Sequence, residues 1–131
     1  MANEQNQPKY KVSWDEENKI IRAQFFGDVD EVTMKRLIDE QDKIIKERGL
    51  KAVRILHDAS TSGAYASTIR KLSIDWVKKM IASYGANFKM AVHSMSARQR
   101  VMAQFVDAII KTEDFKAFKT EEEALKWLKE D

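Results

Sequence analysis

The chain has 131 residues, 44% of them apolar and 34% charged, enough for one sheet-and-helix core without cross-links. Lys and Arg number 23 against 21 Asp and Glu, and this net charge of +2 is too balanced for a protein built to bind nucleic acid. There is no cysteine, which excludes a disulfide framework, a thiolate metal site and a cysteine nucleophile.

Residues 1–8 are polar and read as a frayed tail, with a single domain expected over 9–131. This start lacks the basic-then-apolar pattern of a secretory signal, and no apolar run approaches membrane-spanning length, so the expected compartment is cytoplasmic. Residues 9–14 alternate, with Tyr10, Val12 and Trp14 on one side, which predicts a half-buried strand. The polar turn 15–19 and the apolar segment 20–26 complete a hairpin. Gly27 breaks the pattern, and Asp28 or Asp30 can cap the helix that follows. Met34, Leu37, Ile38, Gln41, Ile44 and Ile45 form its buried stripe, and Gly49 is placed to stop it.

A third strand over 52–56 runs into His57 and Asp58, then into the hydroxyl turn Ser60, Thr61, Ser62 and Gly63. A second helix is expected from about residue 65, with Tyr65, Ile69, Leu72, Trp76, Val77 and Met80 on one face and a stop near Gly85. Residues 88–93 read as the fourth strand. A third helix is expected after Ser94, with Ser96 and Gln99 as a capping box and Val101, Met102, Phe105, Val106 and Ile109 buried. A fifth strand is expected over 114–118. Thr120 and Glu123 form a second capping box before a helix anchored by Ala124, Trp127 and Leu128.

The order is ββαβαβαβα, which implies an α/β fold with a mainly parallel five-stranded sheet. An antiparallel N-terminal strand completes that sheet. In the strands Arg22, Gln24, Arg54 and Lys89 alternate with apolar residues, so one sheet face is expected to be polar, with the helices packed mostly on the other.

Four stretches resemble the SpoIIAA-like (STAS-like) family, related to anti-sigma factor antagonists. They are the hairpin 10–27, the strand-to-turn Val53–Asp58, the strand-to-helix Lys89–Ser94, and the ending Phe115–Leu128 with its Ala-Leu-Lys-Trp-Leu run. The resemblance implies a βα superhelix and a regulatory module that binds a protein partner, a regulator or a kinase. In the wider STAS group it also implies a switch by phosphorylation of a hydroxyl after the third strand. The corresponding stretch here is Asp58-Ala-Ser-Thr-Ser-Gly63, in which Ala59 separates Asp58 from the hydroxyls. A related fold, the CRAL-TRIO type, implies an alternative: a lipophilic small molecule held between helices.

The residues themselves give each reading a physical basis. A helix N-terminus offers unpaired N–H groups and partial positive charge, so hydroxyls at 60–62 would either cap the helix or carry a phosphate there. Asp58 ends a buried strand, where it would either bind a ligand or satisfy neighbouring backbone N–H groups. His57 and His93 end neighbouring strands, but their parity puts the rings on opposite faces, which argues against a shared metal. Ser94, Ser96 and Arg98 would lie near the first turn and form a second anion-binding rim or a simple cap. Tyr65, Trp76 and Phe105 are core residues or the lining of an apolar slot. No cofactor or metal is expected. A non-enzymatic binding module is the main reading, a carrier the first alternative, and a small enzyme using Asp58 with a His the second; a homodimer is compatible with each.

Overall fold

The structure, a computed structural model, describes residues 9–96 and 114–130. Strands β1 (Tyr10–Asp15) and β2 (Ile20–Phe25) form the expected hairpin. Asp15 closes it by accepting from the Asn18 N–H (3.0 Å) and the Asn18 side-chain amide (2.9 Å), and Lys19 takes a positive φ at the turn. Helix α1 (Glu31–Arg48) begins at Asp30, whose carboxylate accepts from the Thr33 N–H at 2.8 Å. It ends at Gly49, whose φ of 57° lets its N–H turn back to the Ile45 and Lys46 carbonyls. Of the two candidate caps, Asp30 fills the role.

Between β2 and α1 lies a strand that periodicity did not reveal, β3 (Gly27–Val29). Strand β4 (Val53–Asp58) follows α1, and then a further short strand, β5 (Ser62–Tyr65), pairs with β3 in parallel. Helix α2 therefore runs Ile69–Tyr84 rather than from about residue 65. Backbone groups 62–65 find their partners in the β3 ladder, so the chain has no need to coil until Ile69. Strands β6 (Phe88–His93) and β7 (Phe115–Phe118) and helix α3 (Glu121–Lys129) complete the described chain. The expected helix with Val101, Met102, Phe105, Val106 and Ile109 lies outside the described residues, as do Arg98 and the tail 1–8.

The main sheet has the order β1-β2-β4-β6-β7, with only β1 antiparallel. Ile21, Ala23, Phe25, Val53 and Ile55 point to the face covered by α1 and α2, where they meet Met34, Leu37, Ile45, Trp76, Val77 and Met80. Each fully buried large side chain here contributes about 1.5–3 kcal/mol. Trp76 packs edge-on to Phe88 (6.1 Å between ring centroids) and donates its indole N–H to Asp42 at 3.0 Å.

The opposite face carries Arg22, Gln24, Asp58, Lys89 and His93. It is not left bare: α3 lies across its middle, burying Ala124 and Leu128 against Ile20, Leu56 and Ala91. The polar residues hold the two ends of this helix. Lys89 donates to the Glu130 carbonyl (2.6 Å) and the Trp127 carbonyl (3.3 Å) at its negative C-terminal end. Arg22 reaches Glu121 at the other end, 3.3 Å away. Thr120 caps α3 by accepting from the Glu123 N–H at 3.2 Å.

Candidate functional site

Asp58, at the C-terminal end of the central strand β4, stands in register with Gln24 of β2 and His93 of β6. These three residues form one polar row across the sheet face that carries α3, Gln24 and Asp58 half-buried and His93 buried. Lys11, Ser13, Arg22, Gln24, Leu56, Asp58 and Glu121 line a cleft of about 190 Å³ there. The C-terminal edge of parallel strands is where α/β sheets commonly present their ligand-binding groups.

The turn after Asp58 is tied down from several sides. Asp58 accepts from the Ser60 N–H at 2.8 Å. The Ala59 N–H donates to the His93 carbonyl at 3.0 Å, which fixes the turn to β6. The Thr61 hydroxyl donates to the Phe25 carbonyl (2.6 Å) and accepts from the Gln24 amide (2.9 Å), which fixes it to β2. The Gly27 N–H donates to the Thr61 carbonyl at 3.0 Å. Ser62 is half-buried, and its hydroxyl interacts with Tyr65.

Gly63 is required by the small sheet rather than by a left-handed turn. A Cβ there would lie 2.4 Å from Asp28 Oδ1 and 3.0 Å from the Asp28 nitrogen. Asp28 uses that space to accept from the Ala64 N–H at 2.9 Å.

This geometry corrects one expectation. None of Ser60, Thr61 or Ser62 stands at the start of α2. The residue at that N-cap position is Thr68, and its side chain makes no capping bond. The β3–β5 ladder separates turn and helix, so the helix dipole is not available to a group on the turn. Ser60 and Thr61 are exposed at the surface, but the Thr61 hydroxyl is committed to two partners.

The electrostatics centre on Asp58 and the histidines. Burial works to raise the Asp58 pKa. Hydrogen bonds from the Ser60 hydroxyl and N–H, with the His93 and His57 imidazoles, outweigh it and hold the carboxyl below its usual value. His57 is buried on the α1–α2 face with its ring 5.2 Å from that of Phe25. Burial, only partly offset by Asp58 and reinforced by His93, pushes its pKa down to about 4. His93 is buried on the α3 face, with Nδ1 2.8 Å from the Ser94 hydroxyl and Nε2 3.9 Å from Glu121. The two rings thus lie on opposite faces, as their parity implies.

Of the other rim candidates, Ser94 is brought beside the first turn through the Ala59–His93 bond, and Ser96 is exposed. Arg98 and Phe105 are outside the described residues. Trp76 is a core residue, and Tyr65 lies in β5 with its ring 6.3 Å from that of Phe25. A cavity of about 50 Å³ lies between α1 and α2, bordered by Met34, Gln41, His57 and Trp76. It has room for about one or two water molecules.

Sequence reasoning missed Gln24, Asp28, Arg22 and Glu121. The first and third were visible as the polar half of the β2 alternation, which shares a face with Asp58. Asp28 and Glu121 reach the site only through tertiary pairing. Among the described residues no helix is long and apolar enough to cross a membrane.

The profile of one family, SpoIIAA-like, matches residues 20–129, which takes in the β4 turn, the cleft and α3. The chain belongs to the SpoIIAA-like family. Solved structures share this fold at low identity. A STAS domain protein from Planctomyces limnophilus superposes with a TM-score of 0.69 at 16% identity, covering 92% of this chain and 98% of that one. The anti-sigma factor antagonist SpoIIAA in its unphosphorylated form gives 0.66 at 15% identity, with 93% and 99% covered. The Bacillus cell fate determinant SpoIIAA in its phosphorylated form gives 0.62 at 15% identity, with 92% and 99% covered. No curated protein matches this SpoIIAA-like chain.

Proposed function

We propose that this SpoIIAA-like protein is a regulatory binding module that presents the turn Asp58–Gly63 to a protein partner, and that phosphorylation of Ser60 switches the contact. The observation that carries the reading is the asymmetry of the turn. It is pinned to β3 and β6 through its backbone and to β2 through the Thr61 hydroxyl, while Ser60 is exposed at its tip with Asp58 as the partner of its N–H. Pre-organised backbone lowers the ordering cost of binding. Thr61 and Ser62 are poorer acceptors, because the Thr61 hydroxyl holds the turn to β2 through two bonds, whereas the exposed Ser60 hydroxyl bonds to Asp58, and Ser62 is half-buried.

A phosphate on Ser60 would add close to two negative charges beside the Asp58 carboxylate. Like-charge repulsion would break the Asp58–Ser60 bond and change the shape offered to the partner. The likeness to anti-sigma factor antagonists, one of them determined in both phosphorylated and unphosphorylated forms, supports a protein regulator or its kinase as that partner. A cytoplasmic setting fits this role.

The test is affinity capture from extract of the native host with wild type, Ser60→Ala and Ser60→Asp, together with phosphopeptide mapping of the native protein. The reading expects phosphate on Ser60, and a partner retained by wild type and Ser60→Ala but lost by Ser60→Asp. Equal retention by all three, with no phosphate at residues 60–62, would sink it.

A further inference from the structure

Independently of the partner-binding reading, we infer that Ser94, His93 and Glu121 form a nucleophilic serine site able to accept an acyl group from an ester. The first observation is the Ser94 backbone. Among the described residues only Lys19 and Ser94 are non-glycine residues with positive φ. Lys19 sits in a hairpin turn, where such a conformation is ordinary. Ser94 has a φ of 62° and follows directly on a central parallel strand. A side chain there strains the backbone, and such outliers concentrate at functional sites. A serine on a sharp turn at the end of a strand is also how a hydroxyl is raised above a sheet edge for attack.

The second observation is the base. His93 Nδ1 lies 2.8 Å from the Ser94 hydroxyl, and the ring is only 4% exposed. Its other nitrogen, Nε2, has no hydrogen-bond partner and faces the Glu121 carboxylate at 3.9 Å. A carboxylate on that side favours the tautomer with hydrogen on Nε2, which leaves Nδ1 free to accept the serine proton. Glu121 is a positioning residue, and it is itself positioned. Arg22 Nη1 holds the same carboxylate oxygen at 3.3 Å, and Arg22 Nε is held by Asp15 at 2.8 Å. The chain Asp15–Arg22–Glu121–His93–Ser94 thus runs from the hairpin to the hydroxyl. Arg22 and Glu121 also line the 190 Å³ cleft.

The step is an acyl transfer. Ser94 Oγ bonds to the ester carbonyl carbon as its proton passes to His93 Nδ1. The carbon–oxygen bond to the leaving alcohol then breaks, and that oxygen takes the proton from His93. Water repeats the sequence on the acyl-serine, releasing the acid and restoring the hydroxyl. The backbone N–H of Met95, next after the nucleophile, is the one that chain geometry puts nearest the oxyanion.

The experiment treats the full-length protein at neutral pH with diisopropyl fluorophosphate and maps the adduct by peptide mass spectrometry. Attack by Ser94 forms a P–O bond and expels fluoride, the proton leaving through His93. The expected result is one adduct on Ser94, formed at least about 100-fold faster than any on the exposed Ser60. Ser94→Gly should lose it, together with hydrolysis of p-nitrophenyl acetate. The same variant should melt no lower than wild type, because glycine accepts this φ without strain. His93→Gln should slow labelling by about 100-fold or more. Glu121→Gln should slow it several-fold in a protein that remains folded, with Glu121→Asp retaining more of the rate. If Ser94 reacts no faster than Ser60, or if a folded His93→Gln protein is labelled at the wild-type rate, the inference is overturned.

Discussion

The buried His57 makes a quantitative prediction about acid stability. In the folded chain its pKa is pushed from 6.5 down to about 4, first of all by burial. In the unfolded chain it titrates near its ordinary value. Between these two values the unfolded chain holds more protons, so lowering the pH favours unfolding. Each pH unit across the window costs about 1.4 kcal/mol, and the whole window costs about 3 kcal/mol. Stability from this group is therefore complete above about pH 6.5 and falls steadily as the pH drops towards 4.

Carboxylates held below their usual range, among them Asp15, Asp30 and Asp58, add losses of the same sign, but only below about pH 4. The histidine effect is thus separable by working at higher pH. The perturbation is His57→Leu, which removes the titrating ring and its Nδ1, a buried atom without a hydrogen-bond partner. Urea unfolding of both proteins at half-unit steps from pH 7.5 to 4.5 gives the stability difference at each pH. That difference should shift in favour of the variant by about 2–3 kcal/mol across the series. A difference constant to within about 0.5 kcal/mol would refute the reasoning, since it would mean that His57 protonates as readily in the folded chain as in water.

Three further predictions concern the turn and the last helix. Gly63→Ala drives a Cβ into Asp28 and displaces its bond to the Ala64 N–H, so denaturant unfolding should show a loss of about 1–3 kcal/mol. Thr61→Val keeps the shape of the side chain but deprives the Phe25 carbonyl and the Gln24 amide of their partner. It should cost about 1–2 kcal/mol and raise amide exchange at Gly27, whose N–H donates to the Thr61 carbonyl. Thr120→Ala removes the α3 cap and should cost about 1 kcal/mol by thermal unfolding.

Much of this protein can be read locally. The hairpin, the α1 stop at Gly49 and the Thr120–Glu123 cap follow from periodicity and from the few residues that satisfy helix ends. The opposite orientation of His57 and His93 follows from strand parity, because side chains alternate whatever the neighbouring strand may be. The family resemblance rests on the same local signals.

What no local signal carries is which distant segments meet. Gly27–Val29 and Ser62–Tyr65 are three and four residues long, too short to show an alternation, and they become strands only because they satisfy each other's backbone. That pairing moved the hydroxyl turn away from the helix start and gave Tyr65 to a strand. The polar residues Arg22 and Lys89 read as solvent-facing in their own strands. They hold α3 instead, because Ala124 and Leu128 are buried against Ile20, Leu56 and Ala91 on that face. Glu121 is separated from His93 by 27 positions of chain and yet lies 3.9 Å from its ring. Sequence patterns record how each segment meets water; the contacts between segments are settled when the apolar faces close, and the candidate site is made of those contacts.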